Sequence, residues 1–254
     1  MIPSPLPAAV VRERPILFSA PMVRAILAGT KTQTRRIVKP QPTEADWDTC
    51  RANLGGDTYR ARPWVHPIFG IGLRRGNDGV GFPAPNIECP YGSCGDRLWV
   101  RETHAIESWT REFGDEPPLP ADRPHKHTAY TDGDEVWRWP HYRATDPVPD
   151  LSCERDKCRV CESGEPSPHW KPSIHMPRWA CRIVLEITDV RVERLQAISD
   201  EDAFAEGVEP CGHNGFHTDQ GVCAYHALWD DINGAGAWDA NPWVWALTFK
   251  RVTP

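Results

Sequence analysis

The sequence predicts a mixed α+β fold: a β-barrel-like core, a few short helices, and long loop-rich insertions. Three observations carry this expectation. Runs rich in β-branched and aromatic residues lie towards both ends of the chain, at Ile16-Leu17-Phe18, Thr32 to Val38, Ile183 to Leu195 and Trp243 to Phe249. Helical signals are short and carry their own caps. Between these segments the chain is dominated by turn formers, and 26 prolines, 19 glycines and a mean hydropathy of −0.54 fit long irregular stretches.

The elements follow in order. Residues 1 to 14, rich in Pro, Ala and Arg, read as a loose leader before the short strand at Ile16 to Ser19. Ser19 caps a helix over 20 to 28, with Pro21 in its first turn, Met22, Ile26 and Leu27 on one side, and Gly29 as its C-cap. Thr32 to Val38 is the next strand. Arg97 to His104 follows the turn-like Gly95-Asp96 as another. The strongest strand signal begins at Trp179 and runs towards Leu195, with length enough for a bend or two strands. Ser199-Asp200-Glu201-Asp202 matches a capping box opening a short helix over 200 to 206, closed by Gly207. A second helix is expected over Tyr225 to Ile232, and Trp243 to Phe249 is the closing strand.

Core segments at both ends favour a single discontinuous domain over residues 15–254, with its core at about 15–39, 95–104 and 173–252. Residues 40–94 and 105–172 are then insertions. A net charge of −6 and a pI near 5.9 argue against a protein that coats duplex nucleic acid, where Lys and Arg must neutralise many phosphates. No signal-peptide core and no membrane-length apolar run is evident, so no membrane partner and a cytoplasmic location are expected. The nine cysteines then read as reduced thiols or metal ligands.

One run is specific. Ala25-Ile26-Leu27-Ala28-Gly29-Thr30-Lys31-Thr32-Gln33-Thr34-Arg35-Arg36 resembles the opening motif of ASCH-domain proteins, a branch of the PUA-like superfamily. Cys89-Pro90-Tyr91-Gly92, Gly95 to Glu102 and His175-Met176-Pro177-Arg178-Trp179 are similar to a phage- and prophage-associated group within it. The resemblance spans about half the chain and implies a PUA-like/ASCH barrel core. Within the family, the small amidohydrolases that deacetylate N4-acetylcytidine carry a similar run. Their resemblance implies Thr34 as nucleophile, Lys31 as its activator, and Glu206, on a weaker match, as the catalytic glutamate.

Those residue types suit hydrolysis of an N-acyl cytosine, which needs an oxygen nucleophile, a proton acceptor, and an acid for the leaving nitrogen. Two requirements are physical. Lys31 and Thr34 are three apart, and in an extended strand that spacing puts them on opposite faces unless a bulge or turn intervenes. A lysine near its reference pKa of ~10.4 is a poor base, so burial or nearby positive charge, for which Arg35 and Arg36 are available, must lower it. Composition alone would make Lys31, Arg35 and Arg36 a solvated charge run.

Twelve tryptophans supply aromatic walls that could stack on a base, Trp99 and Trp179 foremost, with Arg178 and Arg182 nearby for phosphate. Trp229, Trp243 and Trp245 read as packing. Arg35, Arg36, Trp99, Arg178 and Trp179 are therefore the substrate-binding candidates. Cys153, Cys158, Cys161 and His169 have the ligand types of a structural zinc site, with reduced thiols as the alternative. Cys211, His213, His217 and Cys223 form a looser set. No cofactor is expected for catalysis. The partner is expected to be a modified nucleoside or single-stranded or structured RNA. Besides the hydrolase, the open readings are a non-catalytic RNA-binding module, a ribonuclease and a phage assembly partner.

Overall fold

The structure is a computed structural model. It describes residues 11–42, 62–66, 70–74, 81–83, 89–111, 116–130, 135–146, 170–211 and 220–253; for 62–66, 70–74 and 81–83 only the backbone course is described. The described chain is mixed α+β. Its elements are β1 (Glu13–Leu17), α1 (Ala20–Ala28), β2 (Gln33–Ile37), β3 (Arg62–His66), β4 (Gly70–Arg74), β5 (Gly81–Pro83), β6 (Arg97–Arg101), β7 (His104–Thr110), β8 (Lys126–Ala129), β9 (Glu135–Tyr142), β10 (Val184–Arg194), α2 (Asp200–Ala205), α3 (Gln220–Asn233) and β11 (Trp243–Val252). No helix among the described residues is long and apolar enough to cross a membrane.

A five-stranded sheet has the order β1-β6-β10-β11-β2, so its neighbours come from both ends of the sequence. Its last pair is antiparallel, with Thr34 opposite Leu247 and Arg35 opposite Ala246. Such pairing of sequence-distant segments is what the polar stretches between the apolar runs require. Two three-stranded antiparallel sheets, β3-β4-β5 and β7-β9-β8, lie within those stretches.

By internal packing the chain divides into two compact units, each assembled from separated segments. The first comprises Met1–Arg14, Gly29–Leu98 and Leu185–Arg251. Here α2 and α3 pack Ala203, Tyr225 and Trp229 with Leu195, Ile198, Trp238 and Val244. Ser199 caps α2 through its hydroxyl, which accepts from the Asp202 N–H at 3.1 Å, and Gly207 leaves the helix at φ +83°. Asp200 accepts from the Gly221 and Val222 N–H groups, both at 2.9 Å, so the acid that opens α2 also satisfies the first turn of α3.

The second unit comprises Pro15–Ala28, Trp99–Val184 and Val252–Pro254. Tyr142, Met176, Ala180, Cys181 and Val184 form its buried centre, with Trp99, Ile106 and Trp179 packed against them. The Tyr142 hydroxyl donates to the Ala180 carbonyl at 2.9 Å, and burial pushes its pKa above the usual tyrosine range.

Several expectations change. β1 begins at Glu13, within the stretch expected to be leader. Of the expected apolar side of α1, Ile26 is buried while Met22 and Leu27 are only half-buried, and Val23 is the second buried residue. Trp179 does not open a strand: it lies in a 3-10 turn over Arg178–Ala180, held by the Cys181 N–H donating to the Arg178 carbonyl at 3.1 Å, and β10 starts at Val184. α3 begins five residues before the expected Tyr225. Both supposed insertions contain sheet. Residues 104 to 110 and 135 to 142 pair in register, with Pro140 opposite Ile106 and Trp137 opposite Trp109; the proline masked a strand that tolerates a missing N–H there.

Leu195 is fully buried in the first unit's core. Leu195→Ala should cost about 2–5 kcal/mol of stability, read as a lower midpoint in urea unfolding at unchanged slope.

Candidate functional site

The strongest concentration of chemistry in the first unit is a buried charge cluster. Lys31, just after the left-handed Gly29 (φ +79°) that ends α1, makes an isolated antiparallel bridge to Glu206, and the Thr32 N–H donates to the Ala205 carbonyl at 2.8 Å. The bridge fixes the main chains beside each other, and the side chains follow. Lys31 Nζ donates to Glu206 Oε2 at 2.6 Å and to the Glu206 carbonyl at 2.8 Å. Their side chains are only 0% and 3% exposed, so this is an interior ion pair rather than a surface contact.

β2 then alternates. Gln33 and Arg35 turn towards α2 and β10: Gln33 Nε2 donates to Asp202 Oδ1 at 2.7 Å, and Arg35 donates through Nε to Glu193 Oε1 at 2.9 Å and through Nη2 to Asp202 Oδ2 at 2.9 Å. Arg35 Nη1 also reaches Glu206 Oε1 at 3.3 Å. Arg191 Nη2 adds a bond to Asp202 Oδ2 at 2.9 Å, and the Tyr225 hydroxyl donates to Glu206 Oε1 at 3.4 Å. Lys31, Arg35 and Arg191 thus meet Glu193, Asp202 and Glu206, three positive charges against three negative.

The electrostatics follow from burial and this pairing. Burial pulls the Lys31 pKa below its ordinary value; Glu206 opposes the shift, while Arg36 and Arg35 add to it. Arg35 is driven the other way: burial disfavours its charge, but Glu206 and Glu193 outweigh that cost. Tyr225 is raised well above the phenol range by burial and then by Glu206, so its hydroxyl stays a donor. Burial opposes the Asp202 charge, yet the Gln33 bond, Arg191 and Arg35 hold its pKa low.

Of the proposed catalytic set, the structure brings Lys31 and Glu206 together. Thr34 it places apart: as the residue between Gln33 and Arg35 it faces the other side of β2, it is 1% exposed, and its Oγ1 has no hydrogen-bond partner among the described residues. No bulge reverses the strand alternation from Gln33 to Ile37. Arg35, a substrate-binding candidate, is paired in this structure with the carboxylates of Glu193, Asp202 and Glu206. Arg36 is half-buried, its Nη1 donating to the Arg35 carbonyl at 3.5 Å.

The remaining substrate-binding candidates belong to the second unit. Trp99 lies 5.4 Å from the Arg101 guanidinium and 6.0 Å from that of Arg178, and Trp179 packs on the apolar centre nearby. Arg182, read as a phosphate contact, is instead paired with the buried Glu102, Nε to Oε1 and Nη2 to Oε2 both at 2.9 Å, and it stacks 3.8 Å from the Tyr142 ring centre. Cys153, Cys158, Cys161 and His169, and with them the zinc site, lie outside the described residues, as do His213 and His217. Among the described residues no three His, Cys, Asp or Glu side chains are grouped to hold a metal.

Sequence reasoning missed Gln33, Glu193, Asp202 and Tyr225. The alternation Lys31-x-Gln33-x-Arg35 was available for Gln33; the acids were not recoverable, because Glu193 and Asp202 reach the cluster from elements more than 150 positions away.

Glu206→Gln leaves the Lys31 ammonium buried without a countercharge. It should cost about 3–5 kcal/mol in chemical denaturation, whereas Lys31→Met combined with Glu206→Leu should recover most of that loss. For Asp202, whose folded pKa is depressed, the stabilisation is complete above the unfolded value of about 3.9 and fades as pH falls through the folded value. Asp202→Asn should therefore flatten the acid limb of the stability-pH curve below about pH 4, measured by thermal unfolding.

Comparison of the chain with known family models, with characterised proteins and with solved structures gives no match in any of the three.

Proposed function

We propose that the chain is an ASCH-type protein of PUA-like fold that hydrolyses an N-acyl amide on a modified pyrimidine nucleoside of the N4-acetylcytidine kind. The observation that carries this reading is the buried Lys31–Glu206 contact at 2.6 Å. A proton moved across that contact converts ammonium and carboxylate into amine and carboxylic acid without changing net charge. The amine form is the base the reaction lacks, the carboxylic acid is the acid it needs, and burial of Lys31 acts in that direction.

In this scheme Lys31 Nζ takes the Thr34 hydroxyl proton as Oγ1 bonds to the acyl carbon. Glu206 then gives its proton to the exocyclic nitrogen as the C–N bond breaks. Water hydrolyses the resulting acyl-threonine, releasing the carboxylic acid and restoring the hydroxyl. The Thr34 hydroxyl, buried and without a competing hydrogen bond among the described residues, retains its lone pairs for attack. Since it does not bond Lys31, the reaction requires these side chains and the chain around them to move when substrate enters. Near-complete burial also favours a small nucleoside over RNA as substrate.

The same burial favours one second reading, a non-catalytic module for modified nucleotides or RNA in which the charge cluster is purely structural. The test is release of cytidine from N4-acetylcytidine by the wild type, Thr34→Val and Glu206→Gln, each checked for folding by circular dichroism. Turnover that falls by about 10²–10⁴ in both folded variants supports hydrolysis. A folded wild type that releases no cytidine sinks it and leaves the binding module.

A further inference from the structure

A second site lies within the other compact unit and does not depend on the hydrolytic reading. His104 opens β7 and is 0% exposed, bridged to Lys171 by paired main-chain bonds: the His104 N–H donates to the Lys171 carbonyl at 3.2 Å and the Lys171 N–H to the His104 carbonyl at 2.7 Å. The Glu102 N–H sits 3.2 Å from Met176 Sδ, which ties the turn carrying His175 and Arg178 to the same corner. The corner is therefore built from β6, β7 and the 173–180 segment.

Its side chains are basic and incompletely satisfied. Two buried nitrogens there, Arg101 Nε and His104 Nε2, have no hydrogen-bond partner among the described residues. Among the described residues no carboxylate lies within ion-pair distance of Arg101, Lys171 or His175; the neighbouring Glu102 carboxylate is taken by both arms of Arg182. Burial holds the His104 pKa below its ordinary value; the Glu102 carbonyl opposes that shift, and Lys171, Arg101 and His175 add to it. The Arg178 guanidinium, 6.0 Å from the Trp99 ring that Arg101 also approaches, adds another cation. Buried nitrogens without acceptors, set beside the positive charge of Arg101 and Lys171, leave hydrogen-bonding capacity that an anion can complete.

The histidine narrows which anion. His104 Nδ1 lies 3.2 Å from the Glu102 carbonyl, which can only accept, so a ring proton sits on Nδ1; burial disfavours a second proton, which leaves Nε2 with a lone pair. An anion without a proton would meet that lone pair unfavourably. A phosphomonoester, whose second ionisation lies near pH 6, can bring its own O–H to Nε2, whereas a phosphodiester has none.

We propose that Arg101, His104, Lys171 and His175 form a binding site for a terminal phosphomonoester, with the phosphate O–H donating to His104 Nε2 and the remaining oxygens accepting from the cations.

The test is isothermal titration of the full chain near pH 6 with four probes: cytidine 5′-monophosphate, inorganic phosphate, cytidine, and a cytidylyl dinucleotide lacking a terminal phosphate. The expected result is binding of the first two, with the nucleoside and the diester at least about tenfold weaker. Lys171→Gln and Arg101→Gln should each weaken phosphate binding about tenfold, while Arg111→Gln, on the exposed end of β7's sheet, should not. Lys171 is exposed, so its substitution leaves the fold intact even if Arg101→Gln does not. Absence of phosphate binding by the wild type, or binding unmoved by Lys171→Gln, overturns the site; a diester bound as tightly as the monoester overturns its restriction to terminal phosphates. N4-Acetylcytidine turnover, measured on the same Lys171→Gln protein, reports separately on the hydrolytic reading.

Discussion

The first unit is organised by a requirement of charge neutrality in its interior. Lys31 and Arg35 are both withdrawn from water, and neither could be without acids already placed to receive them. Glu206 comes from the end of α2, Asp202 from its first turn, and Glu193 from β10. One short strand, one short helix and one long strand are thereby obliged to meet in a single arrangement. Hydrophobic packing around Tyr225 and Trp229 supplies cohesion there, but it would accept many relative placements of α2 and β2; the ion pairs and the Gln33 bond accept few.

The helix pair illustrates how local rules serve that placement. Asp200 holds the start of α3, and Gly221 sits so close to α2 that a Cβ would come within 2.9 Å of the Asp200 carbonyl and 3.2 Å of the Phe204 ring. The two helices consequently approach backbone to side chain, with no room for a larger residue between them. Tyr225, one turn further along α3, is carried to the Glu206 carboxylate by that contact. A capping interaction at one end and a phenol at the other are parts of one mechanical link.

Much of this was legible in the chain. The end of α1 at Gly29, the extent of β2, the Ser199 cap and Gly207 all follow from local chemistry, whereas the meeting of Lys31 with Glu206, 175 positions away, was implied only by the family resemblance. The parity argument that put Lys31 and Thr34 on different faces was also sound, since Thr34 lies opposite Leu247 while its neighbours turn to the acids. What local signals missed has a common cause. β7 and β9 are defined by each other across an intervening polar stretch, Trp179 is held by a 3-10 turn bond that no pattern announces, and the partners of Arg35 arrive from beyond 150 residues away. Pairwise contacts of that separation leave no periodicity in either segment alone.

The alternation of β2 has one further consequence, for how such a chain can change over generations. Residues 31, 33 and 35 reach the acids only because single positions separate them. Exchanging the residue at 32 or 36 leaves that reading frame untouched, whereas inserting or deleting one residue would turn a lysine or an arginine outward and a neighbouring threonine inward. In descendants of this chain, spacing is the inherited quantity, and the length between Gly29 and Arg35 should outlast the identity of the residues that fill it.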